Sequence, residues 1–216
     1  MLYDNPEDAR FWANRDLNDT RHDWGDKAPT WIDGYWESIH HPHRRLIVDE
    51  LNKLEFDSLL ELGCNIGPNL AYILEQCDDK EGLTLEGIDV NPWAIEAAQK
   101  RLPSVKIKLG DVSKLLPYFN KEFDVVLADA VLMYIGPDKI HAVVDEINRI
   151  AKKAVILCEW DSESEKGVVK DFHWARNYAK LFTDKGFNVD KIKITKDFWP
   201  NKKWSTHGFI YVCRRP

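Results

Sequence analysis

Two short apolar segments, each followed by residues suited to holding a nucleoside, carry the clearest chemistry in the sequence. The first, Leu59–Leu62, leads into a loop with glycines at positions 63 and 67. The second, Leu85–Ile88, ends at Asp89. Glycine lets the backbone approach a ligand where a Cβ atom would clash, and a carboxylate at the end of a strand can accept hydrogen bonds from both ribose hydroxyls. Together the two segments predict a pocket for a cofactor that contains adenosine.

The charge of the loop narrows the choice of cofactor. A dinucleotide site has three glycines in the order G-x-G-x-x-G, so that a pyrophosphate can sit on the helix N-terminus. Here two glycines stand four residues apart, and the acid Glu61 stands two residues before the first. An acid suits a cationic ligand with an ammonium and a sulfonium group better than it suits phosphate. A chance strand–loop–helix segment is the alternative interpretation.

This loop resembles motif I of the class I S-adenosylmethionine (SAM)-dependent methyltransferases, in which an acid-x-Gly-x-Gly-x-Gly pattern is usual. Asn65 replaces the middle glycine, although Asn tolerates left-handed backbone dihedrals better than most residues. Residues 110–112 and 123–134 are similar to later motifs of the same family. The resemblance implies SAM as cofactor, S-adenosylhomocysteine (SAH) as product, and these binding residues: Glu61, Gly63, Asn65, Gly67, Asp89, Val90, Asp111, Val112 and Ala128.

The later motifs imply individual roles. Asp111 would bond the adenine amino group, the backbone of Val112 would bond a ring nitrogen, and the carbonyl of Ala128 would meet the cofactor's ammonium group. An Asp after Gly at a strand end is otherwise an ordinary turn residue. Asp111 is therefore a binding prediction because it stands in register with the other motif residues.

Two residues are candidate catalytic groups. Tyr134 stands where many small-molecule methyltransferases carry a histidine, so a phenol there would orient the acceptor or take its proton. His173 is a second candidate base, on a long helix that we expect around Asp171–Lys185. The alternative for Tyr134 is a packing residue beside a helix start.

A histidine-rich segment, Ser38-Ile39-His40-His41-Pro42-His43-Arg44, precedes the first strand. It looks like a segment of small bacterial and archaeal SAM methyltransferases, which implies that Arg44 binds the cofactor carboxylate and Trp36 packs against its methionine part. A plain surface Arg44 is the alternative. Pro42 breaks the helix that would present the histidines as metal ligands.

A metal-dependent mechanism is a further alternative. Catechol-type O-methyltransferases carry an acid at the position of Asp129, and Glu159 or Asp161 would be another ligand. The lysine that is usual near the first acid is missing, and hard cations need several well-placed oxygens. We therefore predict no metal.

The order of elements is that of a doubly wound α/β fold, because short apolar segments alternate with helical ones from Ser58 onward. The resemblance implies a seven-stranded, mostly parallel, Rossmann-like sheet with a C-terminal antiparallel hairpin. We predict strands at 58–62, 84–88, 105–109, 123–127, 154–158, 187–195 and 207–213. We predict helices at 43–54, 68–76, 137–151 and 171–185, and one that opens at Asn91-Pro92.

The chain of 216 residues is long enough for one well-buried domain. We assign residues 1–57 to an aromatic-rich helical lid with the first core helix, and residues 58–216 to the SAM-binding core. The first part contains four of the nine tryptophans, Trp12, Trp24, Trp31 and Trp36. The alternative is that these aromatics only cap the edge of the core.

Composition favours a cytoplasmic protein. The four cysteines form no C-x-x-C pair, no apolar segment approaches the ~20 residues of a membrane span, and the N-terminus is no signal peptide. The net charge of −6 argues against a sequence-independent grip on nucleic acid. We expect no membrane partner, and a homodimer is a candidate assembly.

The predicted activity is SAM-dependent transfer of a methyl group to an O or N atom of a small-molecule acceptor, such as a sugar derivative or a secondary metabolite. Two alternatives stay open at this point. One is a nicotinamide-dependent oxidoreductase, which the acid Glu61 and the missing third glycine disfavour. The other is a non-catalytic SAM-binding module, which a failure of Asn65 to act as a tight-turn residue would favour.

Overall fold

The computed structural model describes residues 10–19, 28–77, 82–170 and 173–216. The helices in these ranges are α1 (Arg10–Asn14), α2 (Trp31–Glu37), α3 (His43–Leu51), α4 (Pro68–Gln76), α5 (Pro92–Arg101), α6 (Ile140–Ile150), α7 (Tyr178–Thr183) and α8 (Lys202–His207). The strands are β1 (Ser58–Leu62), β2 (Thr84–Asp89), β3 (Lys106–Leu109), β4 (Phe123–Asp129), β5 (Ala151–Trp160), β6 (Val168–Lys170), β7 (His173–Ala175), β8 (Asn188–Lys193) and β9 (Gly208–Arg214). A 3₁₀ turn covers Leu132–Tyr134.

Seven of these strands form one sheet in the order β3-β2-β1-β4-β5-β9-β8. The first five in that order pair in parallel, whereas β9 lies antiparallel between β5 and β8. The predicted sheet and its antiparallel C-terminal end are confirmed. Because the carboxyl ends of the parallel strands share one edge, the loops after β1, β2, β3 and β4 meet there.

The central strands are buried on both faces. Leu59, Val125 and Ile156 belong to the core on one face, and their chain neighbours Leu60 and Val126 belong to the core on the other. All five side chains are inaccessible to solvent. Continuous apolar strands of this kind are typical of a parallel sheet covered by helices on both sides. None of the helices in the described ranges is long and apolar enough to cross a membrane.

Local signals set the helices that follow the strands. Asn91 caps α5, because its side-chain oxygen accepts a hydrogen bond from the Ala94 amide at 2.9 Å, and Pro92 occupies the first turn. Gly67 precedes α4 with a φ of 81°, in the left-handed region that favours glycine. Both helices begin where the sequence predicted them.

The predicted helix at 171–185 is wrong over its first half. His173–Ala175 forms strand β7 instead, which pairs antiparallel with β6 (Val168–Lys170), and α7 starts only at Tyr178. Asp171 lies outside the described residues. Arg176 anchors the strand pair: its amide donates to the Trp160 carbonyl at 3.0 Å, and its buried guanidinium donates to the carbonyl oxygens of Leu132 and Ile135. This tertiary contact, which no local pattern encodes, holds the segment extended.

The N-terminal segment docks on the carboxyl edge of the sheet. The Asn91 side-chain amide donates to the carbonyl oxygens of Trp12 and Arg15, at 2.7 and 2.8 Å. The Trp31 indole donates to the Asp16 carbonyl at 2.8 Å. Trp24, which we also assigned to this aromatic region, lies outside the described residues. The segment therefore covers the loops where the predicted binding residues lie.

Candidate active site

A cavity of about 350 Å³ opens at the carboxyl edge of the parallel strands. It brings together ten of the thirteen residues that the sequence predicted for the site. These are Arg44, Glu61, Gly63, Asn65, Asp89, Val90, Asp111, Val112, Tyr134 and His173.

The other three predicted residues lie behind the cavity wall. Trp36 faces Arg101, whose guanidinium carbon is 5.3 Å from the ring centroid, and the neighbouring Tyr35 lines the cavity instead. Gly67 packs against Leu102, since an added Cβ would lie 2.6 Å from it. Ala128 is fully buried within β4, and the next two residues line the cavity in its place.

The loop after β1 adopts an unusual backbone. Gly63, Asn65 and Gly67 have φ values of 64°, 50° and 81°, so Asn65 takes the left-handed conformation that its replacement of a glycine required. Asp89 fixes this loop to the end of β2. Its two carboxylate oxygens accept hydrogen bonds from the amides of Asn65 and Asn91, at 2.7 and 2.9 Å.

Replacing Gly63 with Ala is expected to destabilise the protein by about 2 kcal/mol more than replacing Gly82 with Ala. Both glycines have positive φ, so both substitutions carry the left-handed penalty. An added Cβ at Gly63 would also lie 2.5 Å from Cγ2 of Val131, whereas nothing lies within 4 Å at Gly82. Urea unfolding measures the free energy of unfolding of both variants. A second substitution, Val131→Ala, should restore most of the additional stability that Gly63→Ala loses. Equal losses for the two alanines would contradict the contact.

Glu61 is buried at the end of β1 and lacks a full set of partners. Its Oε1 accepts a hydrogen bond from the Asn69 side-chain amide at 2.7 Å. Its Oε2 has no hydrogen-bond partner within the described residues, and neither does Oδ1 of Asn69. Burial raises the pKa of Glu61 to about 8. Two buried acceptor oxygens without a donor fit a ligand that brings several N–H groups, as a protonated amine does.

The third predicted acid, Asp111, lies beyond β3. Its Oδ1 accepts hydrogen bonds from the amide and the hydroxyl of Ser113, at 2.9 and 2.7 Å. Partial burial opposes ionisation, but these hydrogen bonds and the nearby Lys114 hold the pKa of Asp111 below its ordinary value. One acid from β1, one from β2 and one from the loop after β3 therefore line one half of the cavity. We call this set of residues, Glu61, Asp89 and Asp111, the acidic half.

The two candidate catalytic residues meet in the other half. Nε2 of His173 lies 3.2 Å from the Tyr134 hydroxyl, and the ring centroids are 5.1 Å apart. Tyr134 comes from the 3₁₀ turn after β4, and His173 comes from β7 rather than from the predicted helix. Both residues were predicted as candidate bases from the sequence, but their contact with each other was not.

A buried chain of polar groups was missed by the sequence analysis. The carboxylate of Asp129 accepts from Nε2 of His43 at 2.8 Å and from the Asn69 side chain at 3.0 Å, and Nδ1 of His43 lies 2.5 Å from Nδ1 of His41. Burial is the main cause that lowers the pKa of both histidines, that of His41 to about 3. The histidine-rich segment was the available signal, since Pro42 starts the helix that buries His43.

The acids that the metal-dependent alternative would use as ligands already have hydrogen-bond or ion-pair partners within the protein. Glu159 accepts hydrogen bonds from the amides of residues 131, 132 and 133, at 2.8, 2.7 and 3.1 Å. Asp161 accepts from the Tyr211 hydroxyl at 2.6 Å and pairs with Lys191 at 2.8 Å. Among the described residues there is no group of three or more metal-ligating side chains. The geometry at Asp129 is that of a hydrogen-bonded carboxylate.

Part of the chain matches a known protein family and a curated protein in sequence. The family model described as "Methyltransferase domain" matches residues 59–154. The Arabidopsis thaliana protein named "Probable pectin methylesterase CGR3" is 24% identical over 106 residues, which make up 47% of this chain and 40% of that protein. The chain thus spans less than half the length of this curated relative.

Solved structures share the fold. A chain of the complex between the Haloferax volcanii Trm112 methyltransferase activator and a methyltransferase matches with a TM-score of 0.65 and 18% identity, over 86% of this chain and 96% of that one. Magnesium protoporphyrin IX methyltransferase of Synechocystis PCC 6803, with SAH bound, matches with a TM-score of 0.63 and 14% identity, over 89% and 91% of the two chains. At these identities the likeness concerns the fold.

Proposed function

We propose that this chain, whose residues 59–154 match the methyltransferase-domain family model, is a class I SAM-dependent methyltransferase that moves a methyl group to an O or N atom of a small-molecule acceptor. A sugar derivative or a secondary metabolite is the expected acceptor. The division of the cavity supports this proposal most strongly. The acidic half lies over β1 to β3, and the hydrogen-bonded pair Tyr134–His173 lies beyond β4.

The acidic half has a group for each part of SAM. Glu61, with its unpartnered oxygen, would accept a hydrogen bond from the ammonium group, and Asp89 would hold the ribose. Asp111 would meet the adenine amino group, and the buried cation Arg44 the carboxylate. When bound, SAM supplies a methyl carbon made electrophilic by the sulfonium to which it is attached.

The other half would position and deprotonate the acceptor. The Tyr134 hydroxyl can hydrogen-bond the acceptor atom, and the His173 imidazole can take a proton either directly or through that hydroxyl. The docked N-terminal segment adds Trp12, whose ring lies 5.2 Å from that of Tyr134. These aromatic side chains exclude water from the place where the acceptor atom meets the methyl carbon. Most of the rate would come from this alignment.

Replacing Asp89 with Ala is expected to lower the affinity for SAH about tenfold or more, which corresponds to about 1.4 kcal/mol. The substitution removes the ribose acceptor and frees the Asn65 amide. Isothermal titration calorimetry measures the loss. Glu86→Gln is the matched control, because Glu86 lies on the same strand but pairs with Lys106 and Lys108 away from the cavity. Unchanged affinity in a folded Asp89→Ala protein would contradict the ribose assignment.

Two measurements test the proposed function as a whole. Calorimetric titration should show binding of SAM and SAH and none of NAD, and the reverse result would favour an oxidoreductase. Incubation with SAM labelled in its methyl group and a protein-free cell extract should transfer label to a small molecule. Binding of SAM without transfer to any acceptor would leave a non-catalytic SAM-binding module. Light scattering on the same preparation distinguishes a monomer from a homodimer.

A further inference from the structure

We propose that the methyl acceptor is an amine, held as a cation by a curved set of aromatic rings that ends at the carboxylate of Asp129. The proposal rests on the proposed function and names the class of its acceptor. We call the set of rings the aromatic arc. It consists of Trp12, Tyr134, His173, Trp160, Trp204 and Trp199.

The arc is continuous. Each ring contacts the next in the order just given, with centroid distances of 5.2, 5.1, 4.9, 5.8 and 3.9 Å. The last two rings, Trp199 and Trp204, are stacked within 5° of parallel. All six side chains line the cavity. The cavity therefore presents an unbroken aromatic wall on this side.

From Tyr134 to Trp199 the arc lies on the acceptor's side of the cavity, whereas Trp12 reaches it from the N-terminal segment, which Asn91 binds after β2. Tyr134 follows β4, Trp160 ends β5, and Trp199 and Trp204 belong to the connection between β8 and β9. In the sheet these strands lie on the opposite side of β1 from β2 and β3, whose ends carry the acidic half. A cofactor bound across β1, β2 and β3 leaves the arc to the acceptor.

The arc ends at a buried negative charge. The ring of His43 lies 4.2 Å from that of Trp199 and bonds Asp129 Oδ2 at 2.8 Å. Asp129 Oδ1 is buried. Burial opposes ionisation, but His43 and Arg44 outweigh it and hold the pKa of Asp129 well below its ordinary range. The Cys158 thiol also hydrogen-bonds this carboxylate. Asp129 is therefore a carboxylate next to the aromatic wall, and its Oδ1 accepts no N–H or O–H hydrogen bond from the described residues.

This combination selects a cation. An ammonium ion over an aromatic face is attracted by the ring's quadrupole, more strongly when it is desolvated, and aromatic cages recognise methylated ammonium groups in this way. Among the described residues that line the cavity, four are acids and Arg44 is the one Lys or Arg. A carboxylate acceptor would be repelled by these acids, and an alcohol would gain nothing from the rings' quadrupoles. An amine gains from both features.

The chemistry of an amine acceptor balances within this site. A protonated amine first gives its proton to the His173 imidazole, directly or through Tyr134. The nitrogen lone pair then forms a bond to the methyl carbon, the carbon–sulfur bond breaks, and its electron pair returns to sulfur. The products are SAH and a methylated ammonium, and the proton passes to solvent. A tertiary amine held as its conjugate acid gives up its proton in the same way, and its product is a quaternary ammonium.

Choline and its neutral isostere 3,3-dimethyl-1-butanol test the proposal on the wild-type protein. The two differ only in that a quaternary nitrogen replaces a quaternary carbon. With SAH bound, choline should quench tryptophan fluorescence and bind at least tenfold more tightly than the isostere. Equal affinities, or a preference for the isostere, would overturn the amine assignment while SAH binding left the proposed function intact. Failure of SAH itself to bind would overturn the proposed function.

Two substitutions at one ring of the arc locate the binding site. Trp204→Leu should lower the choline affinity about tenfold, as expected for loss of a cation–π contact, with little change for the neutral isostere. Trp204→Phe keeps an aromatic face and should stay within about threefold of the wild type. Selectivity that survives Trp204→Leu in a folded protein would contradict the role of the arc.

Discussion

Replacing Glu61 with Gln is expected to weaken SAH binding about a hundredfold at pH 7.5, because a buried carboxylate that faces an ammonium group is lost. SAH carries the same ammonium and carboxylate groups as SAM. Gln has nearly the shape of the protonated acid, and its side-chain oxygen can still accept the hydrogen bond from Asn69. Calorimetry measures the change, with Glu86→Gln as the control for a carboxylate away from the cavity.

The pH dependence of SAH binding distinguishes the effect of the Glu61 charge from the effect of its side-chain shape. Because the pKa of Glu61 is about 8 in the free protein, the side chain is mostly protonated at pH 6–7.5 and must lose its proton when it pairs with the ammonium. The wild-type dissociation constant should therefore fall by up to tenfold for each pH unit in this window. His41, whose pKa is lowered to about 3, does not titrate there. The Glu61→Gln protein should show a much flatter profile, and parallel profiles would contradict the assignment.

The same substitution should stabilise the free protein at alkaline pH. The folded state holds the Glu61 proton with a pKa of about 8, whereas the unfolded chain holds it with a pKa near 4.5. Stability is therefore lost progressively as pH rises from 4.5 through 8, and Gln removes this contribution. Thermal midpoints of the two proteins should be close at pH 5 and should diverge by pH 8.5 in favour of Gln. Glu159, whose pKa burial also raises to about 8, remains in both proteins and cancels in the difference.

The acidic half of the site was predictable because local sequence determines it. Each of its acids stands at or just after the end of a parallel strand, and the carboxyl ends of such strands meet at one edge. The left-handed φ of Asn65 also agrees with its replacement of the motif's middle glycine, because Asn tolerates that region better than most residues. Beyond the positions of these acids, only the order of the strands was needed, and the family resemblance implied it.

The half of the cavity that contains Tyr134 and His173 could not be predicted because it joins residues distant in sequence. His43 and Asp129 are 86 positions apart, and the sequence gives no register between the helix-rich N-terminal region and β4. The same holds for Trp160 and Trp204, which meet only because β9 inserts beside β5. His173 was named for its residue type but assigned to a helix. Its true position depends on Arg176, whose partners lie 41 and 44 residues away.

Replacing His173 with Ala is expected to lower kcat about a hundredfold at pH 7, within the range for loss of a general base, and to leave SAH affinity within about twofold of the wild type. Loss of the base acts on the acceptor's proton, and His173 lies outside the acidic half. Tyr134→Phe tests the partner hydroxyl: it should cost less than His173→Ala if His173 accepts the proton directly. Initial rates of labelled methyl transfer, with the acceptor found in the cell extract, measure both.

The pH profile of His173→Ala decides what the base does. If the acceptor is an amine, it loses its proton to solvent once the pH exceeds its own pKa, so the variant's rate should climb toward that of the wild type at alkaline pH. An alcohol acceptor has a far higher pKa and would show no such recovery. Recovery of the rate at alkaline pH would therefore show that the Tyr134–His173 pair deprotonates an amine acceptor, as the aromatic arc predicts. A rate that stays equally far below the wild type at every pH would contradict the amine and favour an oxygen acceptor.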